Sequence, residues 1–419
     1  MRPLTIACLL AWLVPAAGWA AKDSCVDCHS GLDGRLQRPA TLIKNDVHVA
    51  NGLSCADCHG GDRSSDDMSV AMSRASGFVG KVPRTAIPKL CAHCHSDPNL
   101  MRRYRPQQRV DQYELYQTSV HGKRLASGDA EVATCIDCHS VHDIRAVKDA
   151  LSPVHPLRLP DTCGRCHADS VKMAKYRIPT TQLADYRMSV HWNALKERGD
   201  LSAPNCASCH GNHGAKPPQV SSVAAVCGSC HVLFDQLYEK SVHKKVFSGD
   251  SGGGGCIVCH GNHAIHLPST AMLTGKDAVC SQCHDADSTG GKAAVQIAQW
   301  LNGLDSALQR SETVLTSADE YGMEVSEAQV RLIDGRESLV KARLAMHVFN
   351  LDDLRKTVDA GMAIASETRQ TGEAALKEKD FRRFGLAISV VLILLVITAI
   401  WLLIRRIEAN GAAPNAASK

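Results

Sequence analysis

The 419-residue sequence predicts a mainly α-helical protein with extensive loops. It reads as a cysteine- and histidine-rich head, a helical stalk and a single C-terminal transmembrane helix. Three observations carry this reading. Nine copies of C-x-x-C-H fall between residues 25 and 284, apolar residues recur at helical spacing after Gly290, and residues 384–404 hold no charge.

Residues 1–20 combine Arg2, an apolar run from Leu4 to Val14, Pro15 and the small residues Gly18 and Ala20. This is the pattern of a secretory signal peptide, cut after Ala20 or Ala21. The chain is therefore expected outside the cytoplasm. Of its 19 cysteines, Cys8 alone lies in this leader and outside the repeated motif.

The head, residues 21–289, carries the motifs. Their cysteine pairs are Cys25 and Cys28, Cys55 and Cys58, Cys91 and Cys94, Cys135 and Cys138, Cys163 and Cys166, Cys206 and Cys209, Cys227 and Cys230, Cys256 and Cys259, and Cys280 and Cys283. The histidines that follow are His29, His59, His95, His139, His167, His210, His231, His260 and His284. C-x-x-C-H is the attachment signature of c-type haem: both thiols bond the porphyrin and the histidine binds iron. Positions i, i+3 and i+4 share one face of a helical turn, so all three side chains reach one macrocycle. Disulfides or paired zinc knuckles would not require a histidine after every second cysteine. Nine covalently attached haems c are the expected cofactors.

Aromatic residues make up only 4% of the chain, and nine macrocycles would supply the apolar surface that side chains do not. The formal charge of +4 omits the haem propionates. Each ferric haem adds about one net negative charge, so the holoprotein is expected to be acidic and nucleic acid is excluded as a partner.

Three segments repeat. YQTSVH, YRMSVH and YEKSVH, ending at His121, His191 and His243, each precede a C-x-x-C-H-x-x-H and then a second C-x-x-C-H. The repeats span 116–167, 186–231 and 238–284 and point to stacked copies of one two-haem unit. The N-terminal part is a worn copy with one motif added in front: His48 stands upstream of CADCH, and Asp62 replaces the extra histidine.

Of 20 histidines, eleven are not proximal. His93 lies inside its own motif loop and is poorly placed to reach another iron. His121, His142, His191, His213, His243 and His263 are the expected second axial ligands of six irons. His263 cannot serve the haem of His260, whose near face is taken, so it is expected to reach a neighbouring cofactor. His48, His155, His266 and His347 remain for the first three haems. Met101 or Met188 could ligate one iron instead, but neither recurs with the repeat.

After Gly290 no cysteine occurs. Ile297, Leu301, Leu304, Leu308 and Leu315 mark one helix, Ser326 with Gln329 reads as a capping box for a second reaching about Phe349, and Asn350 can cap a third. Residues 290–383 are thus expected to form a helical hairpin or three-helix stalk that Gly361 and Gly372 could kink. The segment 384–404 is 21 residues long and would span about 30 Å. Arginines flank both ends, so charge does not orient it. Haem attachment outside the inner membrane does: the head is expected in the periplasm and 405–419 in the cytoplasm.

The nine motifs, the S-V-H and C-H-G-N-H histidines, the leader and the anchor resemble membrane-anchored multihaem cytochromes c. Over about residues 25–284 the doubled motifs resemble the cytochrome c3-like group. The stalk and anchor resemble, more loosely, cytochrome c subunits beside quinol-oxidising membrane partners. The resemblance implies bis-histidine haems and electron transfer from a membrane quinol-oxidising subunit, a b-type cytochrome or iron–sulfur protein, to periplasmic redox proteins in anaerobic respiration. The alternative is a terminal reductase of nitrite, hydroxylamine or tetrathionate with one open iron. The ample histidine supply favours a carrier over a catalyst.

Overall fold

The computed structural model describes residues 23–218, 223–247, 255–275 and 278–411. The expected signal peptide, Cys8 and the tail from residue 412 lie outside them. The described residues form helices, turns and loops, with no strand. Two compact units emerge: one runs to Pro217 and takes in His263–Ile265, and the other comprises Pro218–Asn262 and the chain from His266. The division falls inside the motif-bearing segment, and the last motifs share a unit with the stalk.

In the first unit the motifs ride on short helices, among them Ser24–Ser30, Cys55–His59, Ile87–His95, Cys135–His139, Leu159–His167 and Cys206–His210. The residue before the first cysteine often starts the turn. Ser54, Thr134 and Asn205 form capping boxes with Asp57, Asp137 and Ser208, and Asp23 accepts from the Cys25 N–H. These caps satisfy amide donors that so short a helix cannot pair internally. Conventional apolar packing is sparse here: Ala194, Leu195 and Ala203 form one small buried cluster with Leu157 against it.

The second unit differs. Its motif at 256–260 is helical, whereas Val223–Gly228 ends before Cys230, and Cys280–Gln282 is a 3-10 turn. Both irregular motifs keep the bond that matters for the shared face. The His231 and His284 N–H groups donate to the Cys227 and Cys280 carbonyls, each at 2.9 Å.

The stalk is a three-helix bundle of Thr289–Glu320, Ser326–Ala345 and Leu351–Gly411. Ile297, Leu301, Leu304, Leu308 and Leu315 from the first helix meet Leu332 and Leu339 from the second and Leu354 and Val358 from the third. The sequence's apolar stripe is therefore the core. Inside it the Ser311 and Thr368 hydroxyls pair at 2.6 Å, and Thr368 also donates to the Ile364 carbonyl, so neither hydroxyl is buried unpaired.

Two local expectations change. Ser326 lies inside the second helix rather than capping it, because Val325 precedes it at the cap and the Glu324 carboxylate accepts the Ser326 N–H at 3.1 Å. Gly361 and Gly372 leave the third helix continuous. A Cβ at Gly361 would stand 2.9 Å from Leu304 Cδ1, and one at Gly372 2.8 Å from Val314 Cγ1. Their role is close helix approach, not bending. Asn350 does cap: its Oδ1 accepts from the Asp352 and Asp353 N–H groups.

The third helix outruns its partners. Near the bundle's foot Lys379 and Arg383 lie over the Tyr321 ring at 4.3 and 4.9 Å. Beyond it residues 384–404 are exposed and apolar on every face, in the one described helix long and apolar enough to cross a membrane. A helix hydrophobic all round with nothing packed on it suits lipid rather than water.

Replacing Gly361 by leucine should overpack the bundle and cost about 1–3 kcal/mol. Denaturant unfolding of the full-length protein, followed by helical circular dichroism, checks this; an unchanged midpoint would contradict the close approach.

Candidate functional site

Each S-V-H turn is built the same way. Ser119, Ser189 and Ser241 are buried N-caps whose hydroxyls accept from the N–H groups of Gly122, Trp192 and His243. The histidine thus stands at the second helical position in Val120–Ala126, Val190–Trp192 and Val242–Val246. The recurring tyrosine has a cause too. Tyr116 donates to the Ala133 carbonyl at 2.8 Å and Tyr186 to that of Pro204 at 2.9 Å, tying each turn to the stretch of chain just before its motif. The worn copy has the same turn with aspartate in the serine's place: Asp46 caps Val47–Ala50 and carries His48.

A second bond links neighbouring copies. The Val47 N–H donates to the Ile144 carbonyl, Val120 to Ala215 and Val190 to Ile265, at 2.8, 3.1 and 2.8 Å. Each acceptor lies two residues beyond the histidine of a C-x-x-C-H-x-x-H. The turn of one copy therefore fixes the crossing histidine of the next.

The outcome is a set of facing imidazoles. His59 and His142 stand with ring centres 6.1 Å apart, His139 and His213 6.0 Å, and His210 and His263 6.0 Å. His48 and His95 are 6.0 Å apart, His121 and His167 6.1 Å, and His243 and His284 6.0 Å. In the second unit His260 faces His347 at 6.2 Å. An imidazole nitrogen ligates at about 2 Å, and its ring centre lies about 1 Å farther, so two rings flanking one metal sit roughly 6 Å apart. The rings are much too far apart to be in contact with each other and are spaced for an iron between them.

Hydrogen bonds behind the rings point the same way. The Nδ1–H of His29, His59 and His210 donates to the carbonyls of Leu36, Gly80 and Lys216 at 3.0, 2.9 and 3.2 Å, leaving Nε2 for a metal. His347 does likewise toward Arg343 and Leu344. Burial holds His95, His121, His142, His167, His213, His243, His260, His263 and His347 below the ordinary imidazole range, and His139 down to about 4. They are thus neutral, as ligands must be. His48 is the exception: the Asp46 carboxylate, 2.8 Å from its Nδ1, raises its pKa.

The cysteines follow the same order. None of the eighteen described cysteines is paired in a disulfide. The Cys91 thiol meets that of Cys135, Cys163 meets Cys206, and Cys227 meets Cys256. Cys58 lies within electrostatic reach of Cys91, Cys138 of Cys166, and Cys259 of Cys280. Motifs adjacent in sequence are therefore adjacent in space within each unit. Among the described residues no three His, Cys, Asp or Glu side chains converge on a common metal position, as a zinc knuckle would need. Two thiols and an imidazole on one turn, with a second imidazole across a 6 Å gap, fit haem c.

Of the other candidates, each has its own setting. His191 occupies the S-V-H place of the middle repeat. His93 and His266 are exposed. His155 is buried, but its Nδ1 accepts the Leu157 N–H at 3.3 Å, which leaves the proton on Nε2 and suits a structural rather than a ligating tautomer. Met101 is buried and Met188 exposed.

His347 falls outside any repeat, yet it completes the last one. No further copy follows the third repeat, and the turn between the second and third stalk helices takes that copy's place. Phe234 lies edge-on to His347 at 5.0 Å. Phe349, in a left-handed conformation at φ 59°, places its ring 4.3 Å from His243. One stalk turn thus supplies one histidine and buttresses another. Nothing in the sequence around 347 repeats, so only the hairpin geometry reveals the pairing.

Comparison with known families gives two matches. The cytochrome c3 family model matches residues 47–168 and 200–285, and the cytochrome c554 and c-prime model matches residues 12–60. No solved structure matches the chain.

The pairs fall into two geometries. Crossing-type pairs, with interplanar angles of 24°, 10°, 12° and 13°, are nearly parallel. Turn-type pairs, at 82°, 63° and 74°, are nearly perpendicular. Parallel planes split the iron d-orbitals with which imidazole interacts, and perpendicular planes leave them nearly equal. The oxidised holoprotein should show both an ordinary rhombic low-spin EPR signal and a strongly anisotropic one; a single class would contradict the geometry. Asp46→Asn should raise the potential of one haem, because the carboxylate makes His48 a stronger donor to ferric iron. A potentiometric titration in which no component moves upward would refute that role.

Proposed function

The chain is a multihaem cytochrome c-like protein, and from that premise we propose that it is a membrane-anchored electron conduit of the periplasm. In this reading it carries nine haems c, and it takes electrons from a quinol-oxidising membrane subunit and passes them to periplasmic redox proteins. Bound haem c supplies an iron that exchanges one electron between ferric and ferrous states.

The observation that carries the reading is the set of seven imidazole pairs, on motifs whose cysteines adjoin in chain order within each unit. Each pair would hold a haem iron between its two imidazoles and leave no place there for another ligand. His142, His213 and His263 each follow one motif in sequence and face the first motif histidine of the preceding copy, so each braces successive copies against each other. Electron tunnelling weakens exponentially with gap, which makes such bracing functional as well as structural. Asp46, the neighbouring carbonyls and the stalk aromatics would tune individual sites.

The leader pattern of residues 1–20 and the long apolar helix support an inner-membrane anchor with the head outside. Residues 384–404 contain no histidine, so the span has no imidazole for a membrane haem. That supports a separate quinol-oxidising partner, a b-type cytochrome or an iron–sulfur protein. The reductase reading finds support at one place, the leading motif, where no second imidazole faces His29.

Full-length holoprotein in liposomes should stay oxidised with a quinol analogue alone and become reduced when the partner subunit is added. Unaided quinol oxidation would sink the division of labour. After mixing with a substoichiometric reductant, the haems should equilibrate in a single fast phase, and a slow, isolated subset would argue against a continuous conduit. His347→Ala should leave the haem of His260 without its second imidazole and add one high-spin signal to the EPR spectrum.

A further inference from the structure

The crossing histidines obey one register. His142, His213 and His263 each lie three residues past a motif histidine and face the first motif histidine of the preceding copy: His59, His139 and His210. One step earlier, the residue three past His59 should face His29 of the leading motif. That residue is Asp62.

Its segment does reach the leading motif. The Arg63 carbonyl accepts from both the N–H and the hydroxyl of Ser24, the first residue of the helix that carries Cys25, Cys28 and His29, at 2.9 and 2.8 Å. The Asp62 carboxylate, however, turns to Ser64, accepting its N–H at 2.9 Å and its hydroxyl at 2.6 Å. His29 is oriented like the other proximal histidines, with its Nδ1–H on the Leu36 carbonyl. All 20 histidines are among the described residues, and none stacks its ring opposite His29. His93 and His266 are exposed, and His155 is held in the wrong tautomer.

We propose that the leading haem, held by Cys25, Cys28 and His29, keeps its sixth iron position for a small neutral lone-pair donor, with Asp62 standing where the register would put an imidazole. The proposal rests on the reading that every motif carries haem, and it gives one end of the file a ligand-binding site. A carboxylate on the segment that reaches the leading motif disfavours anions, hence the neutral class.

Carbon monoxide is the probe. Intact mass of the full-length holoprotein first counts attached haems; fewer than nine would refute the nine-haem reading and leave no basis for this one. With nine attached, the reduced protein should take up one CO per nine haems, and the oxidised protein should show a high-spin ferric signal of one spin in nine. Asp62→His should restore the register: nine haems remain, CO uptake falls from one to zero and the high-spin signal vanishes. A wild-type protein that binds no CO, is wholly low-spin, or shows the sulfur-to-iron band of a methionine ligand would overturn the open position. Undiminished CO uptake by Asp62→His would overturn the assignment of Asp62.

Discussion

In three of the four capped turns a valine N–H, that of Val47, Val120 or Val190, is bonded to a carbonyl just past the crossing histidine of the next copy. On that bond the geometry of the haem-bearing segment depends. It fixes where one copy's loop lies on its predecessor, and the crossing imidazole then stands 6 Å from its partner. Coordination so arranged cannot be satisfied by one repeat alone. The copies must stack in order, and stacking in order is what makes a file of redox sites. In the proposed conduit, structure and conduction would share one cause.

Stability in such a segment is unusual. Few side chains are buried among apolar neighbours in the first unit, and the large apolar core belongs to the stalk. Backbone caps, carbonyl-held imidazoles and thioether attachment would take the place that a hydrophobic core holds elsewhere. The two architectures meet in the second unit, where His347 and Phe349 bring the bundle to the last motifs. A stalk whose His347 faces a motif histidine is more than a spacer, because loosening the hairpin would part the two rings.

The ends of the file are where the repeating rule runs out, and each end handles this differently. At the C-terminal end a histidine from another kind of structure fills the place of the missing copy. At the N-terminal end the equivalent place holds aspartate. Repeats satisfy their interior by translation alone, so termini are where new chemistry can enter without disturbing the rest.

Much of the protein is legible in its sequence. C-x-x-C-H states its chemistry locally, since one helical turn brings its three side chains together whatever surrounds it. The apolar stripe from Ile297 to Leu315 and the uncharged run 384–404 likewise read out as a bundle and a lone helix, because periodicity and length are local properties. The recurrence of S-V-H singles out His121, His191 and His243 by pattern alone. Partnership is not legible in that way. That His142 faces His59, that His347 stands in for a fourth repeat, and that Gly361 admits a neighbour rather than bends a helix all depend on approaches between segments far apart in the chain. Sequence by itself determined which side chains can hold a macrocycle, because covalent spacing does that. Only the tertiary structure decided which imidazole lies across from which, because a 6 Å gap between distant loops is set by how the copies stack.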